Sequence, residues 1–372
     1  MLKRRLFYAT LLSHMNLDEL RNGIDRVDAQ IVALLQERAS YVHQVGQLKK
    51  NSHSPTFVPE REAALMEKIM KLNKGILPEQ SLQSIYRQIV SCSFLLEGGM
   101  RIGYLGPEGT WSHQAARARF GDSVDLIPFS SFREVFRAVE KGDVNYGVVP
   151  IENSTDGSVS QAMDLFSNSP LRICAQIHQS INNCLLCNGP RERIRVIYSH
   201  PQVLGQCRLW LQENFPQAEQ IPMGSTTAAA LRAVDEADQG AAALGSELAA
   251  QLHGLTVQET RIQDKASNTT RFAVIGKQST QPTGHDRSTI CFRIPHTPGS
   301  LVDVLEHFKK HHLNLLCLDS RPTRDTPWEY LFYVDVDGHE LAEPLKSCVA
   351  ELAPHCPMVK VLGSYPEDKP LD

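Results

Sequence analysis

Between Asn16 and Lys50, apolar residues fall at Leu17, Leu20, Ile24, Val27, Ile31, Leu34, Leu35, Val42, Val45 and Leu48, in alternating steps of three and four. Steps of that size keep to one side of an α-helix, so the spacing predicts a single helix roughly 50 Å long at 1.5 Å per residue. Two shorter helical stretches follow, PEREAALMEKIMKL from Pro59 and PEQSLQSIYRQIVSCSFLLE from Pro78, each opened by a proline suited to a first turn. Gly98 and Gly99 then end the pattern. Fewer than a hundred residues arranged around so long a helix cannot wrap its apolar stripe by themselves. This part of the chain is expected to pair its long helix with a second copy.

After Gly99 the pattern changes to short apolar runs alternating with amphipathic stretches: RIGYLG, VDLIPF, NYGVVPI, VIYSHP, AAALG and RFAVIG. That rhythm predicts an α/β region. Several runs break into loops rich in Gly, Ser and Thr that start a helix, as in GPEGTWSHQAA and GSTTAAALRAV, where free N–H groups suit an anion. Ser225 or Thr226 taken singly needs only to cap its helix. Beyond GKQSTQPTGHDRS, the runs STICFRI, GSLVDVLEHFKKH, NLLCLDSRP, WEYLFYVDV, AEPLKSCVAELA and MVKVLGSY give the order βαββαβ, a ferredoxin-like α+β module. The chain of 372 residues, 42% of them hydrophobic, thus divides into an extension at 1–15, an all-helical domain at 16–98, an α/β domain at 100–277, a linker at 278–286 and an α+β module at 287–366.

A net charge of −4 gives no field to attract a phosphate backbone, so nucleic acid is not an expected partner. The apolar runs are too short to span a bilayer, and MLKRRLFYATLLSHM reads as an extension before a helix, with Met15 as an alternative start. No membrane is expected, and the expected location is the cytoplasm. Nine scattered cysteines read as reduced, buried thiols. In a strand, the spacing of Cys184 and Cys187 points them to opposite faces, which suits core thiols better than a metal site. Gly103, Gly106 and Gly109 are spaced GxxGxxG, which does not match the dinucleotide fingerprint.

Arg38 and Lys49 stand eleven residues apart on the first helix and share a face, whereas Arg21 lies roughly 25 Å along the axis from Arg38 and about 100° around it. One chain cannot bring all three to one small ligand, and each alone reads as a solvated charge. Antiparallel crossing of two copies could unite Arg21 of one with Arg38 and Lys49 of the other, which implies a ligand with more than one carboxylate. LRNGIDRVDAQIVALLQERASYVHQVGQLKK, PERE and SCSFLLE resemble the all-helical chorismate mutase domain. The resemblance implies that Arg21, from the partner chain, and Arg38 bind carboxylates, that Lys49 donates to the ether oxygen and a carboxylate, and that Arg61, Glu62, Ser93 and Glu97 complete the pocket. Val58 replaces an aspartate common in that family, and Glu97 a glutamine. To assist a developing oxyanion Glu97 must be protonated and donate; otherwise it pairs with Lys49 or an arginine.

GYLGPEGTWSHQAA, GVVPIENSTDGSV, YSHPQVLGQC and NTTRFAVIG together resemble prephenate dehydratase, a family with two α/β lobes around a cleft, like a periplasmic binding protein. The resemblance implies that Thr269, Thr270, Arg271 and Phe272 line the cleft, with Thr270 the central catalytic group and Arg271 favouring negative charge. Asn153, Ser154, Thr155, Ser199 and His200 are further substrate-binding candidates; His200 reads equally well as a structural histidine. Taken alone, TTRF would be a threonine capping a strand end beside a surface arginine.

The C-terminal module resembles the ACT regulatory domain of these enzymes. The phenylalanine-binding signatures of that family appear as Gly299, Ser300, Leu301 and Val302, and as Asp319, Ser320, Arg321 and Pro322, with Asp319 where glutamate is commoner. The combined resemblance implies a bifunctional enzyme acting on chorismate and prephenate, inhibited by phenylalanine, at least a homodimer, and needing no metal, nicotinamide or flavin. An arogenate dehydratase and an amino-acid-sensing regulator without catalysis remain the alternatives.

Overall fold

The computed structural model describes residues 16–52, 54–265, 267–323 and 330–367. The N-terminal extension with Met15, and Trp328 and Glu329 of the WEYLFYVDV run, lie outside them. The chain divides into two compact units, one built from residues up to Thr56 together with Ser93–Gly99, the other from Phe57–Cys92 together with Met100 onward.

The long helix is α1, Leu17–Ser52. Its start is fixed by a reciprocal cap: the Asn16 N–H donates to Glu19 Oε2 at 2.9 Å, and the Glu19 N–H donates to Asn16 Oδ1 at 2.9 Å. Leu17, Ile24, Val27, Ile31, Leu34 and Leu48 all remain exposed along it, so the predicted stripe is uncovered in a single chain. Helices α2, Pro59–Leu72, and α3, Glu79–Leu96, follow at their predicted places. Near the end of α1 a Cβ on Gly46 would stand 2.8 Å from the Glu97 Cα, so only glycine lets the residue after α3 come this close.

In the second unit the strands in chain order are β1 (Arg101–Leu105), β2 (Asp125–Phe129), β3 (Tyr146–Asn153), β4 (Gly157–Ser158), β5 (Arg172–Ser180), β6 (Cys184–Leu186), β7 (Val196–Ser199), β8 (Glu219–Pro222), β9 (Ala241–Gly245), β10 (Val257–Glu259), β11 (Thr269–Gly276), β12 (Asp286–Arg293), β13 (Leu315–Pro322), β14 (Tyr330–Asp337) and β15 (Met358–Pro366). The first sheet has the order β2-β1-β3-β11-β5, with β4 on β3, and the second β10-β6-β9-β7-β8. The chain builds most of the first sheet, leaves it after β5 to build the second, and returns with β11 between β3 and β5, antiparallel to both. That return makes two lobes and brings residues 269–276 beside 147–153. Cys184 and Cys187 sit in core clusters on opposite faces of the second sheet.

The third sheet, β13-β14-β12-β15, is antiparallel throughout and carries the predicted βαββαβ order, with its helices at Ser300–Lys310 and Leu345–Leu352. One face packs Ile290, Phe292 and Val334 against Val304, Phe308 and Leu345 of those helices. The other face places Cys291, Tyr333, Leu362 and Tyr365 in one core with Ile173, Ala273 and Ile275 of the first lobe. The predicted linker at 278–286 is accordingly not free. Gln278 donates to the Phe57 carbonyl at 2.7 Å, the buried Thr280 hydroxyl contacts the Ser364 carbonyl and His339, and Asp286 already belongs to β12. Gln278, Thr280 and Asp286 thus find partners inside the protein, while residues 281–285 between them stay exposed.

Candidate functional site

In the first unit, Arg38 Nη1 donates to Ser93 Oγ at 2.7 Å, and Lys49 Nζ donates to Glu97 Oε2 at 2.7 Å and to the Thr56 carbonyl at 3.0 Å. Side-chain exposure is 21% for Lys49 and 10% for Glu97, so this is a largely desolvated ion pair. Glu97 thus takes the second of its two alternatives, as the acceptor from Lys49. Four predicted residues, Arg38, Lys49, Ser93 and Glu97, come together. Arg21 does not join them within one chain; it is 67% exposed and meets only Asp18, at 3.8 Å, among the described residues. Arg61 and Glu62 lie on α2 in the other unit, where Arg61 is exposed and Glu62 is paired with Arg119. Val58 precedes α2 without a side-chain cap.

In the second unit the antiparallel register of β3 and β11 sets Asn153 opposite Thr270. Asn153 Nδ2 donates to Thr270 Oγ1 at 2.8 Å and to Asn268 Oδ1 at 2.9 Å, while its Oδ1 accepts from the N–H groups of Thr155 and Asp156. Because the Thr270 hydroxyl accepts from Asn153, its own proton is left to donate elsewhere. The Thr269 N–H donates to Ser154 Oγ at 3.0 Å, which closes the loop over the strand end. Asn268 then donates to Gln206 Oε1 at 3.1 Å, and Gln206 to Asp156 Oδ2 at 3.1 Å, linking both lobes. A cleft of about 330 Å³ opens here, lined by Thr155, Asp156, Gln202, Gln206, Lys265 and Asn268 among others. Among the described residues, no group of three or more His, Cys, Asp or Glu side chains could hold a metal ion.

The lobes also meet at the loop between β1 and the helix Trp111–Phe120. Ser246 Oγ donates to the Gly109 carbonyl and Thr227 Oγ1 to the Glu108 carbonyl, each at 2.8 Å. Gly109 has φ +85°, and a Cβ there would press on Ala249, so glycine is required. His113 accepts from the Gly109 N–H at 3.0 Å and stacks on Tyr104; burial holds its pKa below the ordinary imidazole value.

Arg271 departs from the expectation that it lines the cleft with Thr270. Successive strand residues point to opposite faces, and the Arg271 guanidinium, 8% exposed, turns to the C-terminal module. It contacts Asp335 Oδ2 at 2.6 Å and Glu152 Oε2 at 2.9 Å. Phe272 is fully buried in the core. Ser199 is also fully buried and donates to the Leu244 carbonyl at 2.9 Å, while His200 Nδ1 accepts from the Gln202 N–H at the start of the next helix. In the module, Gly299 has φ +93° with open space around a would-be Cβ, Ser300 bonds Thr297, Leu301 is partly buried and Val302 exposed. Asp319 pairs with Arg321 at 3.0 Å, and Ser320 and Pro322 face outward on the sheet's edge strand β13. Asn268, Asp156, Gln206 and Asp335 are the residues that sequence reasoning missed. All four stand inside stretches quoted for other residues, in NTTRFAVIG, GVVPIENSTDGSV, YSHPQVLGQC and WEYLFYVDV, and nothing local singles them out.

Comparison with known proteins covers both units. A family model described as "Chorismate mutase type II" matches residues 20–98, and one described as "Prephenate dehydratase" matches residues 102–280. A bifunctional chorismate mutase/prephenate dehydratase from Aquifex aeolicus is 41% identical over 356 residues, covering 94% of this chain and 98% of that protein. One of the same description from Stutzerimonas stutzeri is 38% identical with the same coverage. Among solved structures, prephenate dehydratase from Arthrobacter aurescens in complex with L-Phe is 30% identical, with a TM-score of 0.66 over 72% of this chain and 90% of that one.

Proposed function

Because the chain belongs to the bifunctional chorismate mutase/prephenate dehydratase family, we propose that it carries out both reactions through the two residue clusters just described, under feedback by phenylalanine. It rearranges chorismate to prephenate and converts prephenate to phenylpyruvate. The first step is pericyclic and needs no nucleophile, so the protein's work is to hold the folded dianion and stabilise charge growing on the ether oxygen. Arg38 and Lys49, with Arg21 from a second copy, are the cations for this, and the exposed stripe of α1 supports a homodimer. Lys49 stays paired with Glu97 until the substrate's oxygens compete for its protons.

In the second step the ring carboxylate leaves as CO₂, its electrons move into the ring, and the C4 hydroxyl departs as water with the aid of a proton donor. In our reading that proton comes from solvent, because a threonine hydroxyl is too weak an acid to give up its own, and Thr270 assists by donating a hydrogen bond to the departing oxygen. The single observation that carries it is the Asn153 hydrogen bond, which occupies the Thr270 oxygen as an acceptor and leaves its proton available to donate. Neighbouring N–H groups and the Asn153–Thr155 loop orient the substrate. Arg271 does not serve as the charge partner; Lys265 is the cation lining this cleft. In the module, paired copies bind phenylalanine against Gly299–Val302 and Asp319–Pro322, for which the L-Phe complex of the Arthrobacter relative is the support.

No helix among the described residues is long and apolar enough to cross a membrane. A coupled assay on chorismate, with and without phenylalanine, tests the whole reading. Phenylpyruvate should form and phenylalanine should suppress it. Failure to convert prephenate with normal turnover of arogenate would assign the second site to the amine-bearing substrate, and no turnover of either would leave a sensor.

A further inference from the structure

We infer that Arg271 is the residue through which the C-terminal module sets the position of Thr270, with Asp335 as the module's hold on it. This rests on the reading of Thr270 as the dehydratase residue and of the module as a phenylalanine sensor, and adds the physical connection between them.

Two successive cross-strand pairs do opposite jobs. Asn153 and Thr270 bond each other and, through Asn153, Asn268 of the cleft lining, and the next pair, Glu152 and Arg271, faces the module. Arg271 Nε donates to Glu152 Oε2 at 3.0 Å, and Nη2 reaches Asp335 Oδ2 at 2.6 Å. Asp335 is itself fixed to the module: Arg287 meets the same oxygen at 2.8 Å, and Thr289 Oγ1 donates to the other at 2.6 Å while bonding the Tyr365 hydroxyl at 2.7 Å. Two arginines balance two carboxylates, all but Glu152 deeply buried. His178 and Cys317 also face this cluster. Burial, with Arg271 and Arg287 close by, lowers the His178 pKa, so it stays neutral and adds no third cation.

A shift of Asp335 therefore pulls on a buried guanidinium whose Cα lies one peptide, about 3.8 Å, from that of Thr270. The ladder between β3 and β11 is irregular immediately after Arg271, and such a bulge lets a strand re-aim a side chain. Arg271 Nη1 is buried without a hydrogen-bond partner, so the guanidinium has an N–H available for a second arrangement. A further contact ends on the same loop. Arg321, within the expected phenylalanine signature, donates to the Ser158 carbonyl at 3.4 Å, and Ser158 pairs with Glu152. In turn β13, which bears Arg321, sets Cys317 opposite Asp335 of β14. A ligand that moves β13 thus has a two-strand path to Thr270.

The test uses the full-length enzyme and Asp335→Asn, which keeps shape and loses charge. Phenylalanine should still bind by calorimetry, dehydratase kcat without phenylalanine should stay within about fivefold of wild type, and maximal inhibition should fall to less than half of the wild-type value. Amide exchange over residues 268–276 supplies a readout independent of turnover: phenylalanine should change it in wild type and leave it unaltered in the variant. If Asp335→Asn does not fold, Thr289→Val, which removes one bond to Asp335, should raise the phenylalanine concentration for half-inhibition at least threefold. A variant that binds phenylalanine and shows wild-type inhibition or the wild-type exchange response overturns the role of Arg271. Wild type that binds phenylalanine with no loss of dehydratase activity overturns the feedback reading, and this inference with it; loss of inhibition in the variant alone does neither and supports both.

Discussion

Replacing Thr270 by valine exchanges a hydroxyl for a methyl of nearly the same shape, so its consequences can be worked from one hydrogen bond. Thr270 and Asn153 are both 8% exposed, and Asn153 spends one amide N–H on Asn268 and the other on Thr270. In Thr270→Val the second N–H is buried with no acceptor, a loss of about 2 kcal/mol, which lowers Tm by roughly 3 °C for a chain of this size. The chemical loss should be far larger. A single hydrogen-bond donor aimed at developing charge contributes about 10²- to 10³-fold, so prephenate turnover well below the variant's Tm should fall at least 100-fold. Arg38, Lys49, Ser93 and Glu97 belong to the other unit, so mutase kcat/KM should be unchanged in the same preparation. Thr270→Ser keeps the donor and should recover most of the rate. Turnover above one-tenth of wild type in Thr270→Val, or mutase activity falling in parallel, would refute the assignment of Thr270.

Four further outcomes are expected. Gly363→Ala would set a Cβ 2.1 Å from the Ile173 carbonyl oxygen and 2.8 Å from its nitrogen, so β15 must move off β5 at a cost of about 3 kcal/mol, seen as a lower Tm; an unchanged Tm would mean the module does not dock there. Arg21→Ala and Arg38→Ala should each abolish mutase activity alone, while a mixed dimer of the two variants regains one working site; verified mixed dimers with no activity would exclude a shared site. Glu97→Gln should keep an acceptor for Lys49 while removing the charge that holds it, so Lys49 should turn to the substrate's oxygens more readily and the mutase KM for chorismate should fall; an unchanged or higher KM would show that the pair does not compete with substrate. For His178 the folded pKa is depressed, so the unfolded chain binds the proton more readily and stability is lost as pH falls below about 6.5; His178→Asn should flatten that loss in thermal melts from pH 7 to 5, and parallel melting curves would show that His178 does not cause it.

Punctuation made the helices readable: Pro59, Pro78 and the Gly98–Gly99 pair mark ends that the structure keeps to within a residue or two. Strands with continuous apolar runs, such as Ala241–Gly245, were equally visible. The strand Arg172–Ser180 was not, because Gln176 and His178 interrupt its apolar residues and its burial comes from the sheets packed on it rather than from its own pattern. The candidate dehydratase site depends on a register that joins residues 117 positions apart, Asn153 and Thr270, and no local pattern encodes such a pairing. Arg271 is a different case. The alternation that sends Cys184 and Cys187 to opposite faces also separates Arg271 from Thr270, but only the tertiary partner, Asp335, says where the guanidinium goes.

In the proposed homodimer, the uncovered stripe of α1 would tie one activity to protein concentration and leave the other free of it. A mutase site that borrows Arg21 from a second copy exists only while two chains are associated, whereas Asn153, Asn268 and Thr270 are all supplied by one. By mass action, dilution below the dissociation constant of the helical pair should slow the supply of prephenate while leaving the capacity to consume it. The ratio of the two rates then becomes a meter of how much enzyme is present. A scarce enzyme would draw little chorismate yet still clear any prephenate made elsewhere, so the commitment to phenylalanine would be set at the first step by abundance as well as by the end product.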